Sequence, residues 1–171
     1  MTDFHAQLVQ MTKMLKNLDG WLDKAVEHAK TKDFEPAVLL QARLAPDMFT
    51  LSRQIQAVCD GVKFLAARAA GKDAPKHADG DQLTLDDLRA RIRAVLEFVS
   101  GFEPKDFERA SERIVALSFM PGKGMKADDW MHEMNVANTY FHLGMAYAIL
   151  RHNGVNLTKT DYIGSISLRD M

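Results

Sequence analysis

Hydrophobic residues recur every three or four positions in four separate stretches, which is the spacing of amphipathic helices. The stretches cover residues 3–29, 46–70, 84–101 and 128–154, the second opening at Pro46 or Asp47. Four such helices bury their stripes by packing against one another. The pattern therefore predicts an all-α fold, a four-helix bundle formed by one domain over residues 1–171.

Shorter elements are predicted between these helices. Pro36 favours the first position of a short helix, PAVLLQARL, that ends before Pro46. The polar stretch 72–82 predicts a loop with His77 in solvent. Residues 113–119, which are β-prone and precede a turn, predict a short strand or β-hairpin before the last helix. The tail after Gly154 is predicted to be irregular and to cross the bundle.

Two polar residues lie within the apolar stripe of the last helix. At 100° per residue, the stripe is centred on Asn138, and His142 lies one turn further on, about 40° away. Burying an unpaired polar group costs about 1–3 kcal/mol. We therefore expect Asn138 and His142 to have partners: a side chain, water, a ligand or a metal.

The last helix also has a second apolar stripe, on its other side. Its members are spaced four, three, four and three residues apart: Val136, Tyr140, Leu143, Tyr147 and Leu150. A helix that is apolar on two faces must bury both. Either the short helix or the tail covers the second stripe, or another subunit does, and we expect a homodimer.

Composition excludes several classes of function. The net charge is −1, which predicts no binding to nucleic acid or to an anionic membrane. No apolar run is long enough for a membrane span, and the N-terminus lacks the pattern of a signal peptide, so we expect a cytoplasmic protein. The single cysteine, Cys59, lies in the stripe of the second helix and is predicted to be a buried, unreactive thiol with a raised pKa.

Histidine spacing argues against a metal centre. A zinc site needs three or four converging ligands. His132 and His142 are about 15 Å apart on an ideal helix, His5 and His28 lie at opposite ends of the first helix, and His152 lies in the last turn of the last helix. His142 is then the single candidate ligand, although a lone histidine in an apolar stripe is usually a hydrogen-bonded core residue.

Three segments together resemble a known family. The segments are LAPDMFTLSRQIQ (44–56), ANTYFHLGMAYAILRHNGV (137–155) and DYIG (161–164). They resemble the bacterial domain-of-unknown-function family number 1993, which is similar to the wider DinB/YfiT-like superfamily. The resemblance implies a four-helix bundle, commonly dimeric. In many superfamily members, one histidine of the second helix and two of an HxxxH motif in the last helix bind a divalent metal.

The resemblance also implies which residues replace these histidines. Counted back from the LRHNG ending at 150–154, His142 takes the second HxxxH position and Asn138 the first, and Gln56 takes the place on the second helix by a looser alignment. Amide oxygens bind late divalent metals weakly. We therefore expect no tightly bound cofactor. The alternative is a divalent metal bound through His142.

Three functions fit these observations. The first is a small pocket lined by Gln56, Asn138 and His142 that binds an unidentified small molecule. The second is a transferase or isomerase that depends on a thiol or a metal, in which His142 holds the metal or acts as a general base. The third is a structural dimerisation module with His142 as a hydrogen-bonded core residue.

Overall fold

Capping residues set the start of the long helices. The structure, a computed structural model, describes residues 2–170. Asp3 accepts a hydrogen bond from the Ala6 amide, and Thr84 and Asp87 form a capping box. The helices are α1 (Phe4–Thr31), α2 (Ala37–Leu40), α3 (Leu51–Ala70), α4 (Leu85–Ser100), α5 (Ala127–Asp129), α6 (Val136–His152) and α7 (Lys159–Ile163).

The predicted all-α bundle is confirmed, and α1, α3, α4 and α6 are its four long helices. Helix α3 lies at its centre in contact with the other three. Fifteen of its twenty residues are buried, so α3 is enclosed on nearly all sides. Polar side chains on α3 therefore need partners inside the protein, and these partners shape the candidate site.

A glycine lets α3 and α6 approach closely. A Cβ atom on Gly61 would lie 2.0 Å from Thr139 Oγ1. Thr139 is fully buried, and its hydroxyl donates to the Asn135 carbonyl at 2.8 Å. Because any side chain at residue 61 would clash with Thr139, glycine is required where the two helices cross.

Two predicted boundaries are wrong. The short helix ends at Leu40, and α3 begins at Leu51 instead of Pro46 or Asp47. Thr50 is the N-cap, since its hydroxyl accepts from the Arg53 amide at 3.3 Å. Residues 42–50 form turns and a short extended segment, joined to the helix start by a hydrogen bond from the Leu51 amide to the Ala42 carbonyl.

The predicted hairpin is confirmed. Strand β1 (Ile114–Ala116) pairs antiparallel with β2 (Gly124–Lys126), with Val115 opposite Met125. Two short 3-10 helices, Pro104–Phe107 and Ala110–Glu112, connect α4 to the hairpin. The hairpin leads directly into the last helix.

The last helix is not α-helical throughout. Helix α5, a π-helical segment (Trp130–Asn135) and α6 follow one another without a break. A π turn closes i→i+5 bonds and therefore takes one more residue than an α turn. The buried face consequently passes through Met131, Asn135 and Thr139 instead of Met131, Met134 and Asn138.

The expectation that Asn138 is buried is therefore corrected. Asn138 is exposed, and so is Phe141, with 53% of its surface accessible. His142 is buried as predicted, with 8% exposed. The buried polar residues one and two turns before His142 are Thr139 and Asn135.

The tail covers the second apolar stripe. It is not wholly irregular, because it contains α7, which packs against α1. Trp21 stacks on Tyr162 at 5.5 Å between ring centroids, and Tyr147 packs edge-on to both rings. The tail thus accounts for part of the apolar surface on which the homodimer prediction was based. Within residues 2–170, no helix combines the length and apolar character that a bilayer crossing requires.

Candidate functional site

His142 is held in one orientation by Gln54. The His142 Nδ1 atom lies 2.6 Å from Gln54 Oε1. The Gln54 amide is oriented in turn, because its Nε2 donates to the Phe49 carbonyl at 3.3 Å. With a carbonyl oxygen facing it, His142 Nδ1 carries the proton, and Nε2 has a lone pair.

Two aromatic rings enclose the imidazole. Phe49 stacks on His142 with ring centroids 5.9 Å apart, and Phe141 packs edge-on at 5.3 Å. Burial lowers the pKa of His142, which favours the neutral imidazole at neutral pH. The Nε2 lone pair is therefore available as a hydrogen-bond acceptor, a base or a single metal ligand.

Gln56, the predicted partner from the second helix, has a different role. Its Nε2 donates to the Gly80 carbonyl at 2.7 Å, and its Oε1 accepts from the Gly80 amide at 3.0 Å. Nε2 also contacts Ser52. Gln56 thus fastens the loop 72–82 to α3, whereas the α3 residue bonded to His142 is Gln54.

A signal for Gln54 is present in the sequence. Gln54 lies three residues after Leu51 and four before Val58, both buried members of the α3 stripe. This is the same spacing argument that singled out His142. The resemblance to the superfamily histidines indicated Gln56 instead, because it matched positions along the sequence only. It took no account of the face of α3 on which each residue lies.

The side chains around His142 do not fit a three-imidazole metal site. Gln54 supplies an amide already bonded to the imidazole, and Asn138, one turn earlier, is another amide. Within the described range 2–170, no three His, Cys, Asp or Glu side chains converge on a point where they could hold a metal ion. This arrangement suits hydrogen bonding better than metal chelation.

A cleft with a volume of about 290 Å³ runs beside α3; we call it the α3 cleft. It is bounded by α3, the hairpin loop, the π-helical segment and the start of α6. Gln56 and Asn138 line it, so the structure brings together these two predicted residues. His142 does not line it, but Phe49 stacks on His142 and also forms part of the cleft wall.

The π-helical segment places two unpaired polar atoms beside the cleft. Trp130 and Asn135, both lining residues, have a buried Nε1 and a buried Oδ1 without hydrogen-bond partners. Among residues 2–170, the other such atoms are the Nε atoms of Arg91 and Arg113. Buried polar atoms are rarely left unpaired, and π-helical insertions occur frequently at functional sites. Both atoms have almost no accessible surface, so a molecule in the cleft would contact them only if these side chains moved.

The carboxylates of the cleft are already neutralised. Asp60 contacts Lys63 Nζ and Arg91 Nη2, each at 2.7 Å, and Asp79 contacts Arg91 Nη1 at 2.7 Å. The hydrogen bond from Arg91 lowers the pKa of Asp79. Burial opposes the charge on Arg91, but the bonds to Asp79 and Asp60 dominate and raise its pKa. These acids are therefore occupied by structural ion pairs.

His77 and Cys59 adjoin this charged network. His77 is half-buried rather than in solvent, and its Nδ1 lies 3.3 Å from Lys63 Nζ. Burial and the Lys63 charge lower the pKa of His77. Cys59 is fully buried, and burial raises the pKa of its thiol to about 12, which confirms the predicted inert cysteine.

Comparisons with known proteins agree with the fold. The model of a family described as Domain of unknown function (DUF1993) matches residues 4–163. A crystal structure of a DinB family member protein from Shewanella denitrificans is similar, with 41% sequence identity and a TM-score of 0.89. The match covers 96% of this chain and 93% of that one. A search of the curated proteins found no match.

Proposed function

Because the chain belongs to the DUF1993 family and has a DinB-like fold, we propose that it is a DinB-like protein that binds a small molecule in the α3 cleft. The observation that carries this proposal is the α3 cleft itself, whose wall includes the π-helical segment with Trp130 and Asn135, two residues whose buried polar atoms have no partner among residues 2–170. A cleft with apolar walls and a few polar groups is typical of small-molecule sites.

The proposal replaces the superfamily metal site with a hydrogen-bonded one. In place of three imidazoles, the chain has His142 bonded to Gln54, with Asn138 exposed one turn before it. We expect purified protein to contain well below one equivalent of divalent metal, with none regained after soaking in zinc salts. Elemental analysis would test this. A stoichiometric metal that is lost in His142→Ala would contradict the proposal.

A bulky side chain in the cleft provides a direct test. Ala57 is half-buried and lines the cleft, so Ala57→Phe should fill it, whereas Ala94→Phe makes the same change on an exposed face of α4. We would titrate two fluorescent probes, 1-anilinonaphthalene-8-sulfonate and N-phenyl-1-naphthylamine. At least one should bind the wild type and Ala94→Phe but not Ala57→Phe. Binding of neither probe, or equal binding to all three proteins, would contradict a cleft site.

The orientation of His142 favours a second candidate function. Its protonated Nδ1 faces Gln54, so the Nε2 lone pair could serve as a general base in the thiol-dependent transfer or isomerisation that the superfamily resemblance implies. Assays with a panel of low-molecular-weight thiols would test this, with His142→Gln as the matched variant. Turnover that is unchanged in His142→Gln would exclude this role.

A structural dimerisation module is the third candidate. It would be favoured if Ala57→Phe altered no binding property and light scattering showed a stable dimer. The homodimer and the cytoplasmic location remain predictions from the sequence.

A further inference from the structure

A positively charged side chain lies at one end of the α3 cleft without an acidic partner. The Arg68 guanidinium lies 4.6 Å from the centre of the Phe64 ring and 5.3 Å from that of Trp130. Within residues 2–170, no carboxylate forms an ion pair with it. Burial lowers the pKa of Arg68, as expected for a cation that has lost water without gaining a counter-charge.

A second arginine lines the cleft near the other end of α3. Arg53 is in the first turn of that helix, where the helix dipole disfavours a cation. The first turn contains no acidic residue that would offset its charge. Its guanidinium lies 5.4 Å from the centre of the Phe49 ring, and in the described part of the chain it too lacks an ion pair. Helix stability alone gives no reason for a cation at this position.

The charges around the cleft are out of balance. The cleft is lined by two arginines, Arg53 and Arg68, and two carboxylates, Asp60 and Asp79. Both carboxylates are already paired with Lys63 and Arg91, which do not line the cleft. Two positive charges are therefore in excess, although the whole chain has a net charge of −1. Such a local excess of positive charge attracts anions.

The remaining walls are apolar. Phe64, Leu117, Phe119 and Met134 line the cleft beside the arginines, and Phe119 is 63% exposed. Aromatic walls with a few fixed polar groups are typical of sites for small organic molecules. The Arg68 guanidinium lies over the Trp130 ring, so a cation and aromatic walls meet at this end of the cleft.

On the premise of the small-molecule site proposed above, we propose that the ligand of the α3 cleft is an organic anion with an apolar body. Its acidic group, a carboxylate, sulfonate or phosphate, accepts hydrogen bonds from Arg68. Its apolar body lies against Phe64 and Phe119. Arg53 adds to the attraction at the opposite end.

The two fluorescent probes test this inference, because N-phenyl-1-naphthylamine is the neutral counterpart of the sulfonated probe. We expect the wild type to bind the sulfonate at least about tenfold more tightly, as for one charge-assisted hydrogen bond. Arg68→Met should abolish this preference and leave the affinity for the neutral probe unchanged. Arg93→Met, which removes an exposed arginine of α4, should leave both affinities unchanged.

The other possible results of the probe titrations would overturn the anion inference alone or both proposals. If both probes bind equally well and Ala57→Phe abolishes both, the small-molecule site stands and the anion inference is wrong. A preference for the sulfonate that survives in Arg68→Met also overturns the inference. If neither probe binds, both proposals are wrong. Circular dichroism and thermal unfolding of Arg68→Met would show that a loss of binding does not reflect loss of the fold.

Discussion

The two tryptophans of this protein have similar burial but different surroundings. Trp21, on α1, is 1% exposed, and its Nε1 donates to the Asp161 carbonyl at 3.0 Å. Trp130, in the π-helical segment, is 2% exposed, and its Nε1 has no hydrogen-bond partner among residues 2–170. Buried indole N–H groups usually find an acceptor. The difference therefore separates a region where polar groups are satisfied internally from one where they are not.

The contrast extends to the charges around each ring. Beside Trp21, Lys24 contacts Asp161 at 2.7 Å, so the cation there is paired. Beside Trp130, the Arg68 cation lies over the indole and forms no ion pair with a carboxylate of residues 2–170. The first region fastens the tail to the bundle. The second leaves a donor and a charge uncompensated at the edge of a cleft, which is the arrangement expected where an external molecule completes the structure.

The largest expected difference in the free energy of unfolding is between replacing a paired arginine and replacing an unpaired one. Arg91→Met would leave Asp60 and Asp79 without their shared partner, and we expect a loss of about 3 kcal/mol in the free energy of unfolding. Arg68→Met breaks no ion pair and should cost less than about 1 kcal/mol, mainly from lost helix-dipole and cation–π interactions. Urea unfolding would measure both. Similar losses would show that Arg68 has a structural partner in solution.

The tryptophans themselves give the next largest effect. Trp21→Phe removes both indole volume and a hydrogen bond and should cost about 2 kcal/mol, whereas Trp130→Phe removes volume alone and should cost about 1 kcal/mol. The two variants carry the same substitution, so each controls the other in urea unfolding. Equal losses would indicate that the Trp130 N–H is satisfied in the protein without ligand.

The smallest effect is a difference in pH dependence. Burial lowers the pKa of His142 in the folded protein. On acidification, the imidazole therefore takes up a proton at a higher pH in the unfolded chain than in the folded one. The free energy of unfolding should consequently fall as the pH drops through about 6.5. Hydrogen bonds, chiefly from Lys24, lower the pKa of Asp161 to about 2. Stability from Asp161 is therefore present above about 3.9 and is lost as pH falls towards 2.

Unfolding measured at several pH values would separate the two regions. His142→Gln should reduce the loss of stability between pH 7.5 and 5.5, a window in which Asp161→Asn should show the wild-type slope. Asp161→Asn should instead flatten the profile below about pH 4. An unchanged slope between pH 7.5 and 5.5 in His142→Gln would show that the imidazole is not protected from protonation by the fold.

Much of the fold follows from local patterns. The stripes predicted the long helices, and the Thr84–Asp87 capping box was recognisable because its two members are only three residues apart. The start of α3 was not, because Pro46, Asp47 and Thr50 are all plausible at a helix start. The choice of Thr50 also involves a tertiary contact, the hydrogen bond from its hydroxyl to Asp81 at 3.0 Å.

The site was harder to predict for a different reason. Burial of His142 follows from a helical repeat within α6, which is regular. The position of Asn138 was inferred partly from Met131 and Met134, which lie within the π-helical segment, where 100° per residue does not hold. The roles of Trp130, Asn135 and Arg68 depend on which partners are missing, and a missing partner leaves no pattern in a sequence.

The π-helical segment also affects how this chain should be aligned with its relatives. It contains one residue more than a purely α-helical path between the same two neighbours would need. A relative without the segment should therefore show a single-residue gap between residues 130 and 135. An ungapped alignment across it would equate inward-facing positions on one side with outward-facing ones on the other.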